Sequence, residues 1–418
     1  MAKTASRGIF TSFQNPRYRW LFASNMTFML AMQGQILVRS MITYELTQSA
    51  FYLGLVSFTV AIPMFLLSPF GGVMADRFER RRLIMCGRSI LILAELSILS
   101  LFVTGNLEFW QLLCSSALMG CVIPLTMPAQ TAIVVDVVGK QGLQNAMALS
   151  MGGMAATRIL GPTLAGVIVA ITSLAGAYTA GVILYIVALC CLFGVQHSQS
   201  HHGKVQKSVV NDLMEGFRYV TDNRLILSML LFGIVPMFLA LPFQSLLVVF
   251  SNEVWPVGPS GLGLMYAVGG AGSLFGALYV AGLGKTKPRL PRMMTSIICF
   301  GIALFAFANS PWFLLALPMI FLADGFASVF NTLNNSSIQM MVPDEVRGRI
   351  SSFMMMSFSV TPMGTLPMSM VADAYGVTTA VSLASVLVIL VAIAFFIFCK
   401  PLRLLDPRLR ENHQTLNS

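Results

Sequence analysis

Charged residues are scarce in this chain, and their scarcity excludes most soluble folds. Asp, Glu, Lys and Arg make up 10% of the 418 residues, whereas 56% of the residues are hydrophobic. Soluble globular domains carry roughly 25% charged residues. A water-soluble fold could not cover this much apolar surface, so the composition predicts a protein that crosses a membrane many times.

Cysteine and histidine are also few, and neither forms the pattern of a structural framework. The seven cysteines lie in or at the edges of apolar runs without paired spacing, which argues against disulfides and favours small core residues. His197, His201 and His202 share a polar stretch without an acid or a cysteine at ligand spacing. A metal site there is an alternative, but a solvated linker is favoured. We therefore expect no bound metal or cofactor.

Long apolar runs dominate the rest of the chain. Each of twelve runs is close to the roughly 20 residues that a helix needs to cross a bilayer. Residues 1–19 are polar and no cleavage site follows an apolar core, so we expect the first run to be retained. The chain is predicted to be an all-α membrane protein with twelve transmembrane helices. The predicted spans are 20–43, 51–73, 84–104, 109–131, 146–171, 174–194, 226–250, 261–282, 293–310, 312–334, 351–372 and 377–398.

Basic residues are distributed asymmetrically around these runs. If the N-terminus is cytoplasmic, the inner segments together with Arg88, just inside the third span, hold 24 of the 26 Lys and Arg. The outer loops hold none, and the two exceptions, Arg39 and Arg158, lie within spans. This asymmetry predicts that both termini are cytoplasmic. The net charge of +10 is then mostly a topology signal, and nucleic acid is not an expected partner.

The loop between the second and third spans concentrates charge. Residues 76–82 contain two acids and four arginines, and they follow two glycines that let a helix end pack closely or bend. A cluster of this kind between two apolar runs is predicted to form a tight turn outside the bilayer. A generic positive-inside loop is the alternative. The loop resembles the signature of the major facilitator superfamily of transporters, through the spacing Gly72-xxx-Asp76-Arg77-xx-Arg80-Arg81.

That resemblance implies a gating role for the loop. In facilitators the acid at the position of Asp76 meets the cytoplasmic start of span eleven in the outward-facing state. Ser351 and Ser352 could cap that helix start, and its dipole would attract the acid. Breaking and remaking the contact would gate the inner side. Conformational gating is therefore assigned to Gly72, Asp76, Arg77, Arg80 and Arg81.

Span five carries a second part of the resemblance. Residues 161–166 read Gly-Pro-Thr-Leu-Ala-Gly, similar to the antiporter signature Gly-Pro-x-x-Gly-Gly of drug-exporting facilitators, from which Ala165 departs. Proline and small residues here are expected to bend the helix and to let two helices cross closely. Gly161, Pro162 and Gly166 are the predicted bend and packing residues.

The second half of the chain weakly repeats the first. The turn 342–344 lies 204 residues after the turn 138–140, at a matching place in the order of spans. Two similar six-helix halves are typical of a repeat-built transporter. We predict an N-terminal half at 1–196, a cytoplasmic linker at 197–225, and a C-terminal half with a cytoplasmic tail at 226–418.

A glycine-rich run at 269–276 superficially resembles a dinucleotide-binding loop. No strand precedes it and it lies inside span eight. It is therefore predicted to be a helix-packing face made of small residues.

Four ionisable residues within spans are candidates for proton coupling or substrate binding, because charge at membrane depth is costly. Glu95 and Asp324 could each bind a proton and release it near a cation or an arginine. Arg158 cannot deprotonate and needs a partner or water; a fixed structural pair with a carboxylate is the alternative. Arg39 could instead extend outward to the membrane surface.

Methionine and phenylalanine are abundant, with 28 and 30 copies, and three methionines are consecutive in span eleven. Flexible thioethers repack around ligands of different shapes, and rings supply stacking surfaces. Ordinary core packing is the alternative for any one of them. The pattern favours broad lipophilic substrates over sugars, in a cavity assigned to Met354, Met355 and Met356.

These features predict a transporter of the cell inner membrane rather than an enzyme. The chain is most similar to the bacterial drug and siderophore exporter branch. That similarity implies export of a small amphipathic molecule by alternating access, by a monomer that uses the proton gradient. One departure is that span four lacks the basic motif of drug antiporters. An importer, or a lipid or lysolipid flippase, remains the alternative function.

Overall fold

The computed structural model describes residues 11–195, 218–283, 288–342, 357 and 359–407, except for the side chains of Asp76, Lys140 and Gln141. Within this part of the chain all regular secondary structure is helical, so the all-α prediction is confirmed. The linker histidines, Ser351 and Ser352, and the methionines at 354–356 lie outside the described residues. What was predicted for them stays a prediction.

Twelve long helices follow one another along the described residues. In chain order they are α1 (Pro16–Thr47), α2 (Ala50–Arg77), α3 (Arg80–Val103), α4 (Phe109–Gly139), α5 (Gly142–Ile171), α6 (Leu174–Phe193), α7 (Arg224–Leu239), α8 (Gly258–Ala281), α9 (Leu290–Ala308), α10 (Phe313–Met341), α11 (Val360–Tyr375) and α12 (Val377–Phe398).

Length and composition agree with the predicted number of spans. Within the described residues, 11 segments are long and apolar enough to cross a membrane, and the segment that contains α7 continues through irregular helical turns to Val254. The remaining helix, α11, is the described part of the span predicted at 351–372. The twelve-helix architecture is therefore confirmed.

A glycine separates α4 from α5. Gly139 has φ 67° and ψ 173°, whereas the residues on both sides are helical. A residue without a Cβ adopts a positive φ at no steric cost. The chain can therefore leave α4 and enter α5 almost without a connecting loop.

The contacts of the chain group it into two compact units. The first comprises the described residues up to Arg39 and those from Leu66 to 195, and the second comprises Ser40–Phe65 and the described residues from 218 onward. In the second unit Tyr44 donates to Glu253 at 2.5 Å and Ser49 donates to Asp373 at 2.6 Å. These two bonds tie the end of α1 and the start of α2 into the second unit.

Apolar packing holds the first unit together. One cluster of buried side chains includes Tyr18 and Leu21 of α1, Ile84 of α3 and Leu192 of α6. The Tyr18 hydroxyl donates to the backbone oxygen of Ala146 at 2.9 Å. Between helices in lipid, association depends on close packing and polar contacts more than on the hydrophobic effect. The buried tyrosine supplies both.

Glycines let α8 and α10 of the second unit approach each other closely. A Cβ added at Gly272 would lie 2.1 Å from the backbone oxygen of Phe321, and one at Gly276 would lie 2.3 Å from that of Gly325. The glycine-rich run at 269–276 lies within α8. It is a helix-packing face, as predicted, and not a phosphate-binding loop.

The segment after α12 reaches back to the start of α9. Asp406 accepts hydrogen bonds from the backbone amides of Arg289 at 2.6 Å and Leu290 at 3.3 Å. The first amides of a helix have no partner within the helix, and a carboxylate there also interacts favourably with the helix dipole. The Arg289 guanidinium donates to Ser336 and Ser337 of α10 at 2.8 and 3.1 Å. Asp406 thus caps a helix that begins 116 residues earlier in the chain.

Two adjacent glycines at the end of α2 give a testable contrast. A Cβ at Gly71 would lie 2.1 Å from the backbone oxygen of Pro124 in α4, whereas a Cβ at Gly72 would meet no atom within 4 Å. We expect Gly71→Ala to lower the free energy of unfolding by about 1–3 kcal/mol, because α2 must move away from α4. The control Gly72→Ala should change it by less than about 0.5 kcal/mol. Thermal unfolding of the purified protein measures both, and equal transitions would contradict the close approach.

Candidate functional site

A buried ion pair connects α1 to α3 in the first unit. Arg39 Nη2 lies 2.5 Å from Glu95 Oε1, and the two side chains are 9% and 4% exposed. The Arg39 guanidinium also donates to the hydroxyls of Ser116 at 2.9 Å and Ser115 at 3.1 Å, both in α4. Tyr178 of α6 donates to the other carboxylate oxygen of Glu95. Four helices therefore converge on one pair of charges.

This arrangement favours the charged form of both partners. Arginine stays protonated in proteins, and a carboxylate beside a guanidinium is stabilised as the anion. A buried pair is maintained when additional hydrogen bonds satisfy its remaining donors and acceptors, as the two serines and the tyrosine do here. In this structure the Arg39–Glu95 ion pair connects α1 to α3 and stabilises their packing.

One expectation about the arginines was wrong. Arg39 does not extend outward to the membrane surface, because it is buried against Glu95. Arg158 is exposed on α5, and it has no hydrogen bond or ion pair to any residue that the structure describes. Its proposed part in coupling or substrate binding stays a prediction.

Asp324 of α10, in the second unit, is also buried, but it accepts a hydrogen bond from a neutral amide. It is 5% exposed, and Gln244 donates its amide Nε2 to Oδ1 at 3.0 Å. The backbone oxygen of Gln244 in turn accepts from Tyr266 at 2.8 Å. Gly269 of α8 leaves room for the carboxylate, since a Cβ there would lie 2.2 Å from Oδ2. The neutral amide can hydrogen-bond the carboxyl group whether or not it carries a proton.

The arginines of the loop motif connect the start of α3 to neighbouring helix ends. Arg80 Nη1 lies 2.6 Å from Asp136 Oδ1 at the end of α4. Arg81 donates to the backbone oxygen of Leu192 in α6 at 3.0 Å. Arg77 is exposed, and the side chain of Asp76 lies outside the described residues. The gating role of the motif stays a prediction; the structure adds Asp136 as an ion-pair partner.

The packing motif of α5 faces α1. A Cβ at Gly161 would lie 2.7 Å from Gln33 Cβ and 3.0 Å from the backbone oxygen of Leu30. Pro162 and Gly166 are buried in the same helix. The close approach of two helices at this motif follows from the absence of a side chain at position 161.

Sequence reasoning missed Arg88. It was counted with the cytoplasmic charges, yet its side chain is 1% exposed within α3. Arg88 donates to Ser24 at 2.5 Å and to Asn25 at 2.8 Å, and its guanidinium carbon lies 4.5 Å from the centre of the Phe28 ring. Its position about one turn into the predicted span was the available signal, because an arginine at that depth has to be compensated by the protein.

The ion pair gives a second prediction. Arg39→Met should lower the free energy of unfolding by about 3–5 kcal/mol, because Glu95 would remain buried without its partner. The double variant Arg39→Met/Glu95→Leu should recover most of that loss. Arg158→Met, which removes an exposed arginine of a neighbouring helix, is the control and should stay within about 0.5 kcal/mol of the parent protein. Thermal unfolding in one detergent compares all three, and a double variant no better than Arg39→Met would contradict the pairing.

Comparison with known proteins identifies relatives over most of the chain. The family described as transmembrane secretion effectors matches residues 7–413. The staphyloferrin A transporter of Staphylococcus aureus is 25% identical over 85% of this chain and 89% of its own. An enterobactin exporter of Escherichia coli is 24% identical over 73% of each chain. Macrolide efflux protein A of Streptococcus pyogenes is 23% identical over 84% of this chain and 87% of its own.

Solved transporter structures share the fold. A bacterial homologue of the human lysosomal transporter Spinster, in an inward-facing and unoccupied conformation, has a TM-score of 0.72 and covers 95% of this chain and 98% of its own. At 14% identity that likeness shows the fold alone. The family match spans nearly the whole sequence, and the solved transporter shares the helical architecture. The chain therefore belongs to the major facilitator superfamily, in its family of transmembrane secretion effectors, and is a multi-pass membrane transporter.

Proposed function

We propose that this transporter exports small amphipathic or lipophilic compounds, such as drugs or siderophore-like metabolites, by alternating access and in exchange for protons. The observation that carries the proposal is similarity along most of the chain to an enterobactin exporter and to a macrolide efflux protein. The abundance of methionine and phenylalanine supports a cavity that accepts apolar surface. The bacterial relatives support a place in the inner membrane.

Asp324 is the residue that we assign to proton coupling. It is buried within a helix at membrane depth, where a negative charge is costly and a bound proton removes that cost. Its hydrogen bond from the Gln244 amide holds the carboxyl group in place in either protonation state. Glu95 is the weaker candidate, because the guanidinium of Arg39 lies against it and favours the anion.

Everted membrane vesicles test both direction and coupling. Export from the cell becomes uptake into such vesicles, so energised vesicles should accumulate ethidium and radiolabelled erythromycin. A protonophore should abolish the accumulation. Accumulation by right-side-out vesicles instead would favour an importer, and movement of fluorescent lysolipid between leaflets without solute uptake would favour a flippase.

Asp324→Asn should reduce proton-driven accumulation at least about tenfold, since the neutral amide can no longer take up or release a proton. Exchange of labelled for unlabelled erythromycin without a gradient needs no proton, so it should persist in this variant. The control Asp222→Asn changes a side chain that is 73% exposed and should leave both activities intact. Accumulation by Asp324→Asn at the parental rate would refute the assignment.

A further inference from the structure

Among the described residues, the interior of the first unit contains more positive than negative charge. Two arginines are buried there, Arg39 at 8% exposure and Arg88 at 1%. Glu95 compensates the first at 2.5 Å. For Arg88, no carboxylate oxygen of the described part of the chain lies within 4 Å. The positive charge of the Arg88 guanidinium is therefore buried in the unit, and its described hydrogen-bond partners are neutral.

Those neutral groups orient Arg88 without neutralising it. Nη1 donates to the hydroxyl of Ser24 at 2.5 Å and to the backbone oxygen of Ala188 at 3.3 Å, and Nη2 donates to Asn25 Oδ1 at 2.8 Å. The Phe28 ring lies against the guanidinium. Nε is buried and has no hydrogen-bond acceptor among the residues that the structure describes. Since arginine stays protonated, a buried charge with this shell is a site where an anion would be stabilised.

The contact with Arg88 fixes the direction of the Asn25 amide. A guanidinium can only donate, so Asn25 must present its oxygen to Arg88. The Asn25 NH2 group then points away from the arginine, and its two hydrogens have no acceptor among the described residues. Asn25 is only partly buried, whereas Arg88 behind it is fully buried. The two amide hydrogens of Asn25 are therefore oriented donors, and the charged guanidinium of Arg88 contacts the oxygen of the same amide.

Apolar side chains continue this surface along α1. Met29 and Met32 follow Asn25 at i+4 and i+7, on the same side of the helix. Both are partly buried and pack, with Met119 of α4, against a cluster that contains Phe28. A ligand that met the amide hydrogens with an acidic oxygen could lay an apolar portion along these flexible thioethers.

We propose that Asn25 and Arg88 form an anion subsite that takes the carboxylate, or an equally acidic oxygen, of an amphipathic solute. Asn25 donates to the anion, and Arg88 supplies the charge through the amide without leaving its buried position. This inference rests on the proposed function and adds to it a preference for acidic compounds among those that the transporter exports. The Arg39–Glu95 pair, which is neutral overall, contributes no such preference.

Fluorescein and its methyl ester test the subsite, because they differ by one carboxylate. Their binding to the purified full-length protein in lipid nanodiscs is measured by fluorescence polarisation. The parent protein should bind fluorescein at least about tenfold more tightly than the ester, as expected for one hydrogen bond to a charged group. Asn25→Asp should abolish that preference, since the new carboxylate pairs with Arg88 and occupies the subsite.

The same variant separates ligand binding from structural damage. Asn25→Asp compensates a buried charge, so its unfolding temperature should be equal to or higher than that of the parent. Arg218→Gln, which changes the net charge by the same amount at a side chain that is 85% exposed, should keep the full preference for fluorescein. A parent protein that binds neither probe or prefers neither overturns the proposal. The proposal is also overturned if the Asn25→Asp variant still prefers fluorescein to the ester.

Failure of this inference is distinguishable from failure of the proposed function. If everted vesicles accumulate ethidium and erythromycin but the purified protein does not prefer fluorescein to its ester, only the anion subsite is overturned. A protein that binds fluorescein selectively but moves no solute in either vesicle orientation overturns export and leaves the subsite in place.

Discussion

A charge at membrane depth has to be compensated within the protein, and this requirement organises the polar interior of the chain. In the first unit it brings four helices together around Arg39 and Glu95, with Ser115, Ser116 and Tyr178 completing the hydrogen bonds. Close to the ends of the helices this requirement is weaker, because water can solvate charges that the protein leaves exposed. The Arg80–Asp136 pair accordingly remains 21% exposed on both sides.

The two units meet this requirement in different ways. Among the described residues, the first unit encloses two permanent cations, of which one has a carboxylate partner. The second unit encloses a carboxylate that accepts a hydrogen bond from a neutral amide. If cargo charge is received at Asn25 and the proton at Asp324, the two ligands do not compete for one group. Their exchange must then be coupled through a change of conformation that both ligands bias.

Sequence patterns predict those features that depend on composition along one helix. The twelve spans follow from run length, and the packing role of residues 269–276 follows from their small side chains. Which charges meet does not follow, because Arg39 and Glu95 are 56 residues apart and their pairing depends on the rotation of each helix about its own axis. Arg88 was overlooked for a related reason: its distance from the loop is readable, but the side of α3 that it occupies is not. The depth of a residue in the membrane can be read from its own segment, whereas its hydrogen-bond or ion-pair partner depends on how several helices pack together.

The cap that Asp406 places on α9 has a consequence for biosynthesis. The amides of Arg289 and Leu290 acquire this partner only after more than a hundred further residues have been synthesised. During translation, α9 therefore enters the membrane with its leading turn solvated by water or lipid head groups. The second unit reaches its final hydrogen bonding only after Asp406 has been synthesised. Premature stop codons between α12 and Asp406 would spare all twelve helices but would remove this cap from the second unit.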